Sequence, residues 1–271
     1  MKLLKYFLFI VFLINCFYIN AYADETIKIG GCGSSLGAMK FLASAFEKKH
    51  PEIKVTVLSS LGSLGGIKAV SKGGIDIGVI GRPLNKNEAK PGLNIIEYAK
   101  TPLIFITNKK IPVSNINDSE LIKIFNGNIT KWQNGEKIRL ILRQPSESNA
   151  IIVRSISDEL SKAMDVAMSR EWRIVALTDQ ETVDFVEKTP GALSFSTLTQ
   201  IISEKRNVNV LNYNGIPPLL NGRVNFSYPI FKTHYMLTRS ESSNAVKKFI
   251  RFVQSPEGEK ILITTGNLVK K

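Results

Sequence analysis

Between residues 26 and 80 the chain writes the same phrase twice. A short apolar run leads into a turn of glycine and serine, and the turn opens a helix-period pattern. The first phrase is TIKI (26–29), GGCGSS (30–35), then Leu36, Met39, Leu42, Ala43 and Phe46 on one helical face as far as Lys49. The second is KVTVLS (54–59) followed by SLGSLGGIKAVSKGG (60–74), and a third apolar run, IDIGVI, closes the stretch at 75–80. Strands joined by intervening helices pair in parallel, so this order predicts an α/β fold with a mostly parallel sheet.

The remainder continues the mixture. TPLIFITN (101–108) and IRLILR (138–143) read as strands, and a helix begins near Asp118 and ends before Gly127. A further helix follows QPSESN and runs to about Ala163; residues 192–195 form a strand after the Pro190-Gly191 turn. KRNVNVLNYNG and THYMLT add two more strands, and two helices separated by Ser255-Pro256 close the chain. No repeat, low-complexity tract or flexible linker interrupts this order, which favours two lobes in close contact.

At the N-terminus, Lys2 and Lys5 precede an apolar run, and AYA at 21–23 has the small-x-small form of a cleavage site. Residues 1–23 are therefore expected to be a secretory signal peptide; an uncleaved anchor and a lipoprotein built on Cys16 are the alternatives. Cleavage would leave 248 residues carrying a net charge of +11. Such a balance suits anionic partners. The basic residues are scattered and not interleaved with aromatics, so nucleic acid is not the expected one. Cys32 would be the single remaining cysteine, expected as a small buried residue with no disulfide to make. Trp132 and Trp172 are expected in the core.

Helix N-termini present unpaired N–H groups and partial positive charge, glycine lets a ligand approach them, and serine can cap or donate. Three turns share this form: GCGSSL (31–36), LGSLGG (61–66) and RQPSESN (143–149), the last bringing Arg143. Together they predict an oxyanion seat at the carboxyl ends of the strands. A nucleotide loop is excluded by the lack of Gly-Lys-Ser/Thr, and a dinucleotide site by the lack of an acidic residue ending the second strand. With only His50 and His234, and no metal-ligand or nucleophile-elbow spacing, a secreted hydrolase is the weaker alternative, and no cofactor is expected.

Several stretches carry a family resemblance. SLGSLGGIKAV (60–70), DIGVIGRPL (76–84), IFNGNITKW (124–132), PGALSFSTL (190–198) and the closing KKFIRFVQSPEGEKILITTGNLV (247–269) resemble the periplasmic phosphate-binding proteins of ABC importers, the PstS-like group. The resemblance implies a two-lobed, type II periplasmic binding protein fold, each lobe a mixed, mostly parallel sheet flanked by helices. It implies lobe 1 at 24–107 plus 232–271 and lobe 2 at 108–231, a monomer, a periplasmic location and a membrane permease as partner. Carried over, Ser34, Ser35 and Leu36 would form the first anion-contacting turn, Ser63 the second, and Arg143 the family arginine. Glu147, Ser148 and Asn149 stand where the family has Ser-Gly-Thr. Gly81 replaces an aspartate that in some members accepts the proton of bound phosphate; Arg82 beside it would add positive charge, and Glu147 is either a substitute acceptor from the other lobe or a first-turn helix carboxylate that faces solvent. A phosphate sensor or surface adhesin of the same fold remains the alternative within the family.

Overall fold

The computed structural model describes residues 25–269; the expected signal peptide and Cys16 lie outside them. β1 (Glu25–Gly31), α1 (Gly33–Lys49), β2 (Ile53–Ser60), α2 (Gly62–Ser71) and β3 (Ile77–Ile80) build the predicted unit. β1 lies between β2 and β3, parallel to both. α1 is held on the sheet by Leu36, Met39, Leu42, Ala43 and Phe46, all buried, as the helical spacing requires.

β4 (Leu93–Asn108) is a 16-residue strand, eight residues longer at its start than its apolar half suggests. Its first half pairs antiparallel with β13 (Phe231–Arg239), and residues 103–107 pair with β8 (Ala192–Thr197). One strand thus belongs to two sheets' worth of partners, and with β6 (Arg139–Arg143) and β7 (Ile174–Ala176) the whole path runs β2-β1-β3-β13-β4-β8-β6-β7. The second half contains β5 (Asn115–Ile116), α3 (Asp118–Asn126), β6 (Arg139–Arg143), α4 (Ser148–Arg154), α5 (Asp158–Ser169), β7 (Ile174–Ala176) and α6 (Asp179–Lys188). It continues through β8, α7 (Leu198–Ser203), β9 (Val208–Val210) on β4, and the short strands β10 (Asn212–Tyr213), β11 (Leu219–Leu220) and β12 (Arg223–Val224). After β13, α8 (Asn244–Val253) and α9 (Pro256–Thr264) return to the first half.

The apolar side chains gather accordingly. One cluster holds Phe105, Phe125 and Phe195 between β4, α3 and β8. Another holds Ile27, Met39, Phe46 and Phe249, the two phenylalanines edge to face at 5.2 Å. A third, smaller cluster holds Ile67, Val70, Ile80 and Leu237 in the first half, and the two larger cores joined through β4 and β13 give two lobes, with the polar junction between them.

Three sequence expectations change. The helix after β6 is two helices, because Ser155 ends α4 and Ser157 caps a new start for α5. β7 and α6 were not foreseen. Trp132 is buried, its indole N–H donating to Gly191 O at 3.0 Å, but Trp172 is 90% exposed on the turn before edge strand β7. Among the described residues no helix is long and apolar enough to cross a membrane.

Candidate functional site

Among the described residues, three Asp, Glu, Lys or Arg side chains are buried: Arg143, Asp179 and Lys232. They meet in one place, at the junction of the lobes. Charged groups are left buried only where partners compensate the lost water, so this cluster is the first mark of a site.

The chain reaches it through Gly31. Its φ of +132° turns β1 toward α1, and a Cβ there would lie 2.1 Å from Val79 O. Cys32 N donates to that same carbonyl at 2.7 Å. α1 then starts with Cys32 as N-cap and no side-chain cap. α2 starts after Leu61 and α4 after Glu147, also without side-chain caps. The other helices, α3 and α5 to α9, are capped by Asn117, Ser157, Thr178, Thr197, Ser243 and Ser255. The three Gly/Ser turns therefore open the only helices among the described residues that lack a side-chain cap.

Both lobes supply what meets the α1 terminus. Asp179, first residue of α6, accepts from Ser34 N at 3.0 Å and from Asn149 Nδ2 at 2.9 Å, and lies 3.7 Å from Arg143 Nη2. Lys232, on β13, donates to Asn149 Oδ1 at 2.5 Å, Ser34 Oγ at 3.0 Å and Cys32 Sγ at 3.2 Å. Ser148 Oγ stands 3.9 Å from the same sulfur. Cys32 is buried as expected, but its surroundings are polar. His234, two residues along β13, places Nε2 3.5 Å from Ser34 Oγ. Burial, and then the Lys232 charge, holds His234 well below its ordinary range, so its ring is neutral.

The expected site residues divide. Ser34, Arg143, Ser148 and Asn149 come together in this network. Ser35 is buried beside it, its hydroxyl turned back to Cys32 O at 3.0 Å. Ser63 Oγ accepts from Gly81 N at 3.0 Å. Leu36 packs its side chain into the lobe 1 core, so only its backbone faces the turn. Arg82 is a correction: its guanidinium pairs with Glu88 at 2.6 and 2.7 Å, which raises the arginine and lowers the carboxyl, and adds no free charge to the junction. Glu147 accepts from Arg143 Nη2 at 3.0 Å with 29% of its side chain exposed, so it serves the arginine from the rim. Arg143 also donates to Ala176 O at 3.2 Å, and its buried Nε has no partner.

Gly81 has a spatial reason. A Cβ at that position would lie 2.1 Å from Lys232 Cε and 2.7 Å from Nζ, so the lysine runs through the volume a side chain would need. Sequence reading missed Lys232 and Asp179. Lys232 was readable in principle: in FKTHYM the buried phase of β13 is Lys232, His234 and Met236, an apolar alternation broken by two polar residues. For Asp179 the only local signal was a helix start after Thr178, which is common and uninformative.

Two α/β lobes that share their long central strands, with opposed helix ends and buried charges between them, define a two-lobed protein of the periplasmic-binding-protein fold. The profile of the "PBP superfamily domain" matches residues 19–257, and the chain belongs to that family. It is 25% identical over 256 residues to the phosphate-binding protein PstS of Borreliella burgdorferi, covering 92% of this chain and 91% of that protein. Its fold matches a phosphate ABC transporter substrate-binding protein from Clostridium perfringens, solved with bound phosphate, at a TM-score of 0.75, with 22% identity and coverage of 91% and 100%. An ABC-type phosphate transport receptor from Vibrio cholerae matches at 0.62, with 23% identity and coverage of 91% and 100%. The fold expected from sequence, a two-lobed type II arrangement, is the fold observed.

Proposed function

We propose that the chain is an extracytoplasmic binding protein that captures phosphate, or a tetrahedral oxyanion of the same class, between its lobes and presents it to the permease of an ABC importer. The observation that carries this reading is the set of three uncapped helix starts around buried Arg143, whose Nε is unpartnered. Amides at the starts of α1 and α2 and a guanidinium fork are the donors an oxyanion needs, and they come from both halves of the chain. A ligand bridging them favours the closed arrangement, which a permease can read.

On this reading the hinge is where β4 and β13 pass between lobes, near 102/103 on β4 rather than at the expected 107/108, and at the start of β13, where the expected boundary is 231/232. Ser34, Ser63, Ser148 and Asn149 supply neutral donors, Ser35 braces the turn through Cys32 O, Arg143 supplies the charge, and Glu147 holds Arg143 in place. The role is binding without turnover, in keeping with relatives that are named as binding proteins. A secretory leader at 1–23 would place the mature chain outside the cytoplasm.

Calorimetric titration of residues 24–271, stripped of ligand by unfolding and refolding, tests the proposal. One saturable phosphate site that disappears in Arg143→Met is expected. An Arg143→Met protein that binds phosphate like the wild type, or a wild type that binds none, would overturn it.

A further inference from the structure

Independently of the phosphate reading, we infer that the edge of lobe 2 around Trp172 docks on an anionic phospholipid bilayer. Trp172 is 90% exposed and Leu177 is 68% exposed, so two large apolar side chains flank the one strand β7. That strand closes the sheet path and pairs with β6 alone. Cations that look scattered in the sequence gather here. Lys137 and Arg139 stand at the start of β6, and Arg170 and Arg173 lead into β7. With Leu140, Leu142 and the indole they line a cleft of 460 Å³. Lys131 adds a fifth cation, its backbone bridged to that of Lys137, and Glu136 and Glu171 are the carboxylates beside them.

Most of this charge is unspent. Arg139 pairs with Glu136 at 2.7 Å, whereas Lys131, Lys137, Arg170 and Arg173 make no ion pair among the described residues. Arg170 donates to Phe125 O, and Arg173 to Arg170 O at 3.1 Å. Backbone carbonyls thus hold the two guanidiniums in place without neutralising them. Three residues of β7 are too few to offer another chain a useful ladder, which sets strand addition by a protein partner aside. A bilayer surface needs what is present: cations over lipid phosphates, an indole at headgroup level with its ring in apolar surroundings and its N–H in water, and an apolar neighbour entering beside it. β7 ends at Ala176, whose carbonyl accepts from Arg143 at 3.2 Å. The docking edge and the junction are therefore the two ends of one short strand, and docking holds the junction close to the membrane face.

The test is sedimentation of residues 24–271 with two kinds of vesicle, read together with tryptophan emission. One kind is phosphatidylcholine alone; the other is equal parts phosphatidylcholine and phosphatidylglycerol. Binding to the mixed vesicles alone is expected, and it should weaken as salt is added. Emission should move to shorter wavelength as Trp172 leaves water; Trp132 is already buried and adds nothing to the shift. Trp172→Ser should weaken partitioning by at least about tenfold, and Arg173→Gln by about fivefold. Both side chains are exposed, so melting curves and phosphate binding should stay as in the wild type. The inference is overturned if phosphatidylcholine vesicles bind equally well, or if emission does not move. It is also overturned if both variants bind as the wild type does, since only the diffuse net charge would then be acting. Binding of polyglutamate without binding of vesicles overturns it too, because the edge would then take an acidic protein. None of these outcomes bears on the phosphate reading, which the titration of the wild type tests by itself.

Discussion

Gly37 is the place where one methyl group should separate lobe closure from lobe stability. It faces α7 of the other lobe, and a Cβ there would lie 2.1 Å from Ser203 Oγ, 2.9 Å from Ser203 Cβ and 3.2 Å from Glu204 Cγ. The hydroxyl can rotate away, but Ser203 Cβ cannot move without α7. All three contacts are across the junction, so neither lobe's own core is disturbed. Overpacking of this kind costs about 1–3 kcal/mol. Charged against the closed arrangement alone, that corresponds to about 5- to 150-fold weaker ligand binding. Gly37→Ala should therefore weaken phosphate binding by that factor in calorimetry and enlarge the radius of gyration of the liganded protein in small-angle scattering. Ser203→Gly removes both of the closest contacts, and the double variant should recover most of the lost affinity. Unchanged binding and compactness in Gly37→Ala, or no recovery in the double variant, would refute the claim that α1 and α7 must approach this closely for binding.

Two further outcomes follow from single residues. Burial first, and the Lys232 charge second, depress His234 below its ordinary value of 6.5. The unfolded chain then takes up a proton near that pH which the folded chain refuses. Stability is therefore present above about pH 6.5 and falls below it at up to about 1.4 kcal/mol per pH unit. Urea unfolding across this range should show a shallower slope for His234→Gln, and equal slopes would count against the buried neutral ring. At Gly31, a side chain would press on Val79 O in a backbone conformation with φ +132°. Gly31→Ala should lose upward of about 3 kcal/mol, read as a large drop in melting temperature, and a melt like the wild type would contradict the close approach.

Local patterns carried the scaffold. The 3.6-residue spacing of Leu36, Met39, Leu42 and Phe46 and the glycine-serine punctuation were enough to place α1, α2 and the parallel strands. Such signals are legible because a helix face or strand edge is decided within a few residues. Arg143 and the turn after it were found for the same reason. Where the pattern mixed charges with apolar residues, as in the first half of β4, it hid a strand whose burial comes from β13, more than a hundred residues away. Trp172 errs the other way: its size suggested a core, and its position before an edge strand leaves it in solvent.

The use of GGCGSS was half legible. Its glycines and serines do open an uncapped helix, as an anion seat requires, and the sequence by itself determined that much. That Gly33 and Gly37 are small so that α1 can meet α6 and α7 follows only from the tertiary packing. The same is true of the site's charges. Residues 34, 143, 179 and 232 are far apart in the chain, and nothing local relates them. Folding alone brings the lysine into the space beside Gly81 and the carboxylate onto the Ser34 amide. Chain order sets which helix ends stay open, whereas the charges that fill the space between them are decided by how two lobes close on each other.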